Sequence, residues 1–235
     1  MGEDARDNAS LLATMVHDLR NPLSALAGNL ALLREELVGV EVSGTGNRCL
    51  DDSLALCTRA LLMVQSIADV DALEQGTIMV RPRITPLLPE FEVAVNYARV
   101  DAEARSLSLH VESADTLSAV VDGRLLARVI QNLVDNAVRY APRGGRVVIQ
   151  AAVRDAGPDK RLVLSVGNNG PALTATERTA IFDRDYRAAA RKAGARLGRD
   201  FGLYFCRLVV EAHRGTIVVE ERPDLPAVFV VTIPQ

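Results

Sequence analysis

The N-terminal part of the chain carries two long series of apolar residues at heptad spacing. In the first series, intervals of four and three residues alternate between Leu12, Val16, Leu19, Leu23, Leu26, Leu30, Leu33 and Leu37. In the second series, the same intervals separate Leu50, Leu54, Cys57, Leu61, Val64 and Ala68. The segment between them, Gly39–Asn47, is rich in Gly, Ser and Thr and predicts a loop. This pattern predicts two antiparallel helices that pack along a shared seam.

A single helical hairpin cannot cover an apolar stripe on each of its helices. We therefore expect two copies of the chain to associate into a four-helix bundle, as a homodimer. The alternative is that the stripes dock on the rest of the same chain. We favour the dimer because both stripes run along nearly the whole length of their helices.

Downstream of the hairpin, the apolar period alternates between that of helices and that of strands. Glu74–Pro89 contains one glycine and three prolines and predicts a connector, with a short extended stretch at Ile78–Val80. Predicted helices are Glu90–Arg105, Asp122–Tyr140 and Phe201–His213, and predicted strands are Ser106–Val111, Arg146–Val153, Arg161–Val166, Thr216–Glu220 and Val228–Ile233. This order predicts an α+β chain with two domains, a hairpin over residues 1–75 and an α/β sandwich over residues 76–235.

The composition of the chain limits which functions and cellular locations we expect. A formal net charge of −3 over 235 residues argues against nucleic-acid binding as the main activity. No apolar run is long enough to predict a membrane segment, and the polar start of the chain shows no secretory pattern. The three cysteines have no paired spacing and indicate reduced thiols and a cytoplasmic location. His110 and His213 have no ligand-like neighbours, and we interpret both as structural or surface residues.

His17 is the most reactive candidate in the chain. It lies one position after Val16, so we expect its imidazole at the flank of the bundle. Asp18 could hold the proton of one ring nitrogen and leave the other as a nucleophile. Asn21 follows one helical turn later and could orient a water. Pro22 removes a backbone donor, so a bend that exposes the histidine is expected there.

These residues resemble the catalytic core of two-component sensor histidine kinases, from about Leu11 to the C-terminus. The run His17-Asp18-Leu19-Arg20-Asn21-Pro22 resembles the phosphoacceptor box of that family. The resemblance implies a dimerisation and phosphotransfer hairpin followed by a Bergerat-type ATP-binding domain. It also implies that His17 accepts the γ-phosphoryl group of ATP and passes it to a response-regulator receiver domain. Asp18 would be the proton acceptor, and Asn21 would help to hydrolyse the regulator's phosphoaspartate.

A second run resembles the N box of the same family, Gln131-Asn132-Leu133-Val134-Asp135-Asn136-Ala137-Val138-Arg139-Tyr140. Asn132, Asn136 and Arg139 fall on the face of the predicted helix opposite its apolar side. The resemblance implies that these residues and Tyr140 bind ATP, with Asn136 as the ligand of Mg²⁺. Neutral oxygen ligands suit Mg²⁺ that is held jointly with phosphates. The alternative is a solvated polar face, but two asparagines are poor helix formers, a cost that a ligand would explain.

The first glycine box departs from the family pattern. The family has an aspartate that receives the adenine amino group, followed by two glycines, and the matching run here is Asn168-Asn169-Gly170-Pro171-Ala172. Asn168 keeps an oxygen acceptor but lacks the charge. Ala172 adds a Cβ where the backbone should approach the nucleotide. By the resemblance, Asn168 and Gly170 belong to the nucleotide site.

The second glycine box departs further. The run Asp200-Phe201-Gly202-Leu203 stands where the family has two glycines, and the resemblance assigns Gly202 and Leu203 to the nucleotide site. A carboxylate at about 4 Å from a phosphate charge costs on the order of 4 kcal/mol at an effective dielectric near 20. Asp200 would therefore weaken ATP binding, unless nearby arginines and Mg²⁺ offset it or the side chain turns away to cap the helix.

The segment before this box resembles an F box and is strongly basic. The run Ile181-Phe182-Asp183-Arg184-Asp185-Tyr186-Arg187 has Asp185 where the family usually has an aromatic residue. The basic residues that follow suggest a substitute phosphate grip, a docking surface for an acidic partner or a solvated lid. We favour the solvated lid.

Three functions remain open from the sequence. The first is an ATP-dependent autokinase with an unusual nucleotide pocket, which the N box favours. The second is a histidine phosphotransferase or phosphatase that works without ATP. The third is a pseudokinase scaffold that docks a receiver domain.

Overall fold

The computed structural model describes residues 3–38, 40, 43–156, 159–183 and 202–235. Side chains are described over the same ranges except at residues 3–18, 55, 59, 62, 63, 65–67, 155 and 156. The chain divides into two compact units, Met1–Thr77 and Ile78–Gln235.

The first unit is a hairpin of α1 (Glu3–Glu36) and α2 (Gly44–Glu74), which pack against each other. Pro22 lies inside α1 without ending it. The predicted loop Gly39–Asn47 is too long, because α2 already begins at Gly44. The Ser43 hydroxyl accepts a hydrogen bond from the Gly46 N–H at 3.1 Å and so caps the new helix.

The apolar stripe of α1 is unequally covered. Leu23, Leu30 and Leu37 are half-buried, whereas Leu19, Leu26 and Leu33 are 53%, 48% and 49% exposed. On α2, by contrast, stripe residues such as Cys57 and Val64 are buried. One copy of the hairpin therefore leaves a row of half-exposed leucines at intervals of seven along α1.

The second unit is an α/β sandwich. Its elements are β1 (Arg83–Pro86), α3 (Leu88–Ala104), β2 (Ser108–Ser113), β3 (Ser118–Val121), α4 (Gly123–Tyr140), β4 (Arg146–Ala156), β5 (Asp159–Asn168), α5 (Ala175–Ala180), α6 (Gly202–Ala212), β6 (Thr216–Arg222) and β7 (Leu225–Pro234). A five-stranded sheet has the order β2-β4-β5-β7-β6, in which β2 and β4 are parallel and the other neighbours antiparallel. The α+β architecture predicted from the sequence is confirmed.

Helix α4 lies at the centre of this unit. It packs on β4 and β5 and is flanked by α3 and α6. Its inner residues, including Leu126, Val129, Leu133 and Ala137, have no solvent exposure. Burial of each leucine or valine side chain contributes about 1.5–3 kcal/mol, so this face anchors the helix on the sheet.

Three short features differ from the prediction. The extended stretch expected at Ile78–Val80 lies instead at β1, which pairs with the unpredicted strand β3 in a two-stranded sheet. The unpredicted helix α5 has a capping box, in which Thr174 and Glu177 bond each other's backbone. The N–H of Thr174 donates to the Glu177 carboxylate and lowers its pKa. The turn expected at Gly157 and Pro158 lies outside the described residues.

Candidate functional site

Helix α4 begins at a fixed N-terminal cap. The Asp122 carboxylate accepts hydrogen bonds from Leu125 N–H at 3.2 Å and Arg81 N–H at 3.1 Å. The Asp122 N–H donates to His213 Nε2 at 2.9 Å, and His213 Nδ1 lies 2.8 Å from the Val209 carbonyl. Since Nε2 must accept, Nδ1 carries the proton and donates to Val209. His213 is therefore a buried structural residue that joins α6 to the start of α4.

The C-terminal end of α4 is held by a residue that the sequence analysis missed. The Arg105 guanidinium donates to the carbonyls of Val138, Arg139 and Ala141, the last two at 2.7 and 2.6 Å. The last carbonyls of a helix have no partner within the helix, so one cation that satisfies three of them stabilises this end. Arg105 thereby fixes the turn of α4 that carries Arg139 and Tyr140.

The outer face of α4 carries the N-box residues. Asn132, Asn136 and Arg139 are half-buried there, on the side away from the core. Arg139 forms an ion pair with Asp135 at 2.7 Å on the same helix. Within the described part of the chain, the Asn136 amide makes no hydrogen bond, so its oxygen is available to a ligand.

The start of α6 lies directly against this face. A Cβ added to Gly202 would lie 2.3 Å from Asn132 Oδ1, a distance that only glycine avoids. Asn132 Nδ2 donates to the Arg128 carbonyl at 2.8 Å, so its amide is already oriented. Leu203 is buried and packs in the core of the unit. Of the predicted nucleotide residues, Asn132 and Gly202 are thus brought into contact.

Helices α4 and α6 are also joined through a half-buried cation. The Arg128 guanidinium lies 4.4 Å from the centre of the Phe205 ring. Burial lowers the pKa of Arg128, and neighbouring Cys206 opposes that shift. This contact fixes the two helices that carry Asn132 and Gly202.

The end of β5 meets the other end of α4. The Asn168 side chain is 1% exposed, and its Oδ1 accepts a hydrogen bond from Gly170 N–H at 2.7 Å. A Cβ on Gly170 would lie 2.4 Å from the Tyr140 carbonyl oxygen, so a side chain would push the strand end away from α4. Asn168, Gly170 and Tyr140 are therefore also brought together.

The F-box residues are described only in part. Phe182 is buried and meets Phe229 edge to face, with ring centres 6.0 Å apart. The Asp183 carboxylate accepts from Arg207 at 2.7 Å, which ties the end of this segment to α6. Asp185, the basic residues up to Arg199 and Asp200 lie outside the described residues, so the proposed effect of Asp200 stays a prediction.

The phosphoacceptor candidates lie on α1, in the first unit. Asn21 is exposed. His17 and Asp18 belong to α1, but their side chains lie outside the described residues. In the described residues, no group of three or more His, Cys, Asp or Glu side chains could hold a metal ion. No described helix is both long and apolar enough to cross a membrane.

The chain thus has a helical hairpin of the phosphoacceptor type followed by an α/β sandwich. In the sandwich, Gly170 and Gly202 lie close to α4, the helix with the polar outer face. This arrangement defines a kinase-core architecture. Residues 7–76 match the family model of the His Kinase A (phospho-acceptor) domain. Residues 121–235 match that of the histidine kinase-, DNA gyrase B-, and HSP90-like ATPase. The chain belongs to the two-component sensor histidine kinases, as a catalytic core.

Curated relatives agree with this family. The chain is 30% identical over 230 residues to the sensor protein KdpD of Escherichia coli, covering 96% of this chain and 24% of that protein. It is 26% identical over 212 residues to the signal transduction histidine-protein kinase BaeS of the same organism, covering 90% and 44%. The chain thus spans less than half of either relative.

Two solved structures share the fold. Full-length ShkA, solved in complex with AMPPNP, has a TM-score of 0.66 at 19% identity, covering 95% of this chain and 45% of that chain. The histidine kinase AdeS of Acinetobacter baumannii has a TM-score of 0.59 at 16% identity, covering 92% and 96%.

Proposed function

We propose that this chain is an autophosphorylating protein histidine kinase. A nucleotide bound at the outer face of α4 gives its γ-phosphoryl group to His17, and the group then passes to an aspartate of a response-regulator receiver domain. The residues assigned to the nucleotide are Asn132, Asn136, Arg139, Tyr140, Asn168, Gly170, Gly202 and Leu203. The observation that carries the proposal is the meeting of N-box residues with both glycine positions, Asn132 with Gly202 and Tyr140 with Gly170.

Asn136 is the residue assigned to Mg²⁺. Its amide is half-buried and makes no hydrogen bond in the described residues, which fits an oxygen ligand held jointly with phosphates. When bound, Mg²⁺ neutralises part of the phosphate charge. Arg139 would share its guanidinium between Asp135, with which it forms an ion pair, and a phosphate.

The chemistry of transfer requires a neutral imidazole. One ring nitrogen of His17 attacks the γ-phosphorus, and the bond from that phosphorus to the oxygen that bridges it to the β-phosphorus breaks. The nucleoside diphosphate leaves with the electron pair. Asp18 accepts the ring proton, so the phosphorylated ring carries no extra charge. In the second transfer, a receiver carboxylate attacks the same phosphorus and the P–N bond breaks. Asn21 positions a water for hydrolysis of the receiver's phosphoaspartate.

The proposed assembly is a homodimer through α1. The half-exposed leucines Leu19, Leu26 and Leu33 form one row at the spacing of a coiled-coil seam. Two such rows cover each other in a symmetric four-helix bundle. The row therefore supports a dimer more directly than it supports docking on the rest of the same chain.

The second candidate function is an ATP-independent phosphotransferase or phosphatase, or a pseudokinase scaffold that docks a receiver domain. Two observations favour it. Asn168 lacks the charge that the family resemblance implies at this position, and Arg139 is already paired with Asp135. Either change would weaken a nucleotide site without affecting the hairpin.

The deciding experiment is incubation of the protein with γ-labelled ATP and, separately, γ-labelled GTP in the presence of Mg²⁺. We expect phosphate that is labile in acid and stable in base, absent in His17→Gln and retained in the control His110→Gln, which changes an exposed histidine. Lack of label at millimolar concentrations of both nucleotides would rule out the autokinase. If label were then taken from a phosphorylated receiver, the ATP-independent function would replace it.

A further inference from the structure

Asn168 is a polar residue at the end of an apolar row. Leu162, Leu164 and Val166 precede it on the same face of β5 and have no solvent exposure. Helix α4 packs on this strand. Asn168 continues the row with 1% exposure at the point where β5 reaches the end of α4.

The hydrogen bond to Gly170 fixes which way this amide points. The Gly170 N–H is a donor, so the atom 2.7 Å from it must be the oxygen of Asn168. The other polar atom, Nδ2, can only donate. Within the described part of the chain it donates no hydrogen bond. An acceptor on a ligand would give this donor a hydrogen-bond partner, whereas a second donor would not.

We infer that this site prefers a purine with an oxygen at position 6, such as hypoxanthine or guanine, over adenine. The inference rests on the proposed function, which puts the nucleotide base at Asn168. The adenine amino group is a donor and would face the donor Nδ2. Rotating the amide would only move the same mismatch onto the Gly170 N–H. A 6-oxo group accepts from Nδ2 while Oδ1 keeps its bond to Gly170.

The surroundings hold the amide in this arrangement. The backbone of Gly170 lies close to α4, since a Cβ added there would be only 2.4 Å from the Tyr140 carbonyl oxygen. The side chain of the next residue, Asn169, is engaged elsewhere, because its Oδ1 accepts a hydrogen bond from Arg146 N–H at 2.8 Å. Asn168 is therefore the residue of this pair whose amide nitrogen is assigned to the base.

The test compares binding of Mg·ITP and Mg·ATP, which share the sugar and phosphates, by calorimetry. The wild type should bind ITP about tenfold more tightly than ATP. Asn168→Asp gives the position a second acceptor, so the preference should reverse in favour of ATP. Asn169→Asp is the matched control: it adds the same charge one residue away, keeps the acceptor for Arg146 and should keep the ITP preference.

The other outcomes separate the inference from the proposed function. Wild-type protein that binds ATP as tightly as ITP, or more tightly, would overturn the base preference while leaving a nucleotide site. ATP binding that appears only in Asn168→Asp, with no ITP binding by the wild type, would also overturn it. No binding of either nucleotide by any of the three proteins would contradict the nucleotide site itself.

Discussion

Single atoms decide the geometry of this site at two places. Gly202 lets α6 approach Asn132, and Gly170 lets the end of β5 approach Tyr140. In both cases the neighbouring atom is an oxygen that a methyl group would meet well inside contact distance. The glycines of the site therefore act through close approach.

Replacing Gly202 with alanine should separate α6 from α4. The new Cβ would be 2.3 Å from Asn132 Oδ1, and relieving that overlap should destabilise the protein by about 1–3 kcal/mol and weaken nucleotide binding. Urea unfolding and a nucleotide titration measure the two effects. Gly28→Ala is the control, because its Cβ meets nothing within 4 Å and α1 should tolerate or gain from it. Equal stability of Gly202→Ala and wild type would refute this view of the contact.

The residues of the N box could be predicted from the sequence, but several of their supports could not. Periodicity puts Asn132 and Asn136 on the polar face of a helix, as observed. Arg105 is 33 to 36 residues away in sequence from the carbonyls that it contacts at the end of α4. His213 is 91 residues away from Asp122, which it contacts at the start of α4. No local pattern specifies such long-range pairs, because they depend on how the elements pack. His17 remains a prediction at the level of its side chain.

Element by element, the long amphipathic helices were predictable and the short elements were not. Helix α4 follows its predicted range closely, since eight residues of its apolar face are buried and Asp122 marks its start. Strand β3 has four residues and helix α5 has six, too few for a period to be recognised. For α5, the Thr174–Glu177 capping box was the available sequence signal.

The exposed leucine row of α1 makes a prediction about assembly. Leu26→Lys puts a charge in the middle of the proposed seam, where each copy would bury it without a partner. Sedimentation should show a wild-type dimer and at least about a hundredfold weaker association of the variant. Leu32→Lys is the control, because Leu32 is 61% exposed and lies outside the row. A monomeric wild type, or equal weakening by both variants, would argue against this seam.

At the scale of the whole molecule, the two units divide the proposed reaction between them. The hairpin carries the proposed nucleophile and the proposed seam, and the sandwich carries the residues that we assign to the nucleotide. The order of the two family matches, residues 7–76 and then 121–235, agrees with this division. The changes relative to the family resemblance fall in the sandwich, so the account depends most on whether that unit binds a nucleotide.

The most direct measurement is a calorimetric titration with ATP and ITP, with and without Mg²⁺. We predict that the wild type binds at least one of them and that Mg²⁺ strengthens binding about tenfold, or about 1.4 kcal/mol. Asn136→Ala should lose that strengthening, whereas the control Asn96→Ala, which changes an exposed asparagine on α3, should keep it. Absence of binding under all conditions, or an undiminished Mg²⁺ effect in Asn136→Ala, would contradict the proposed site.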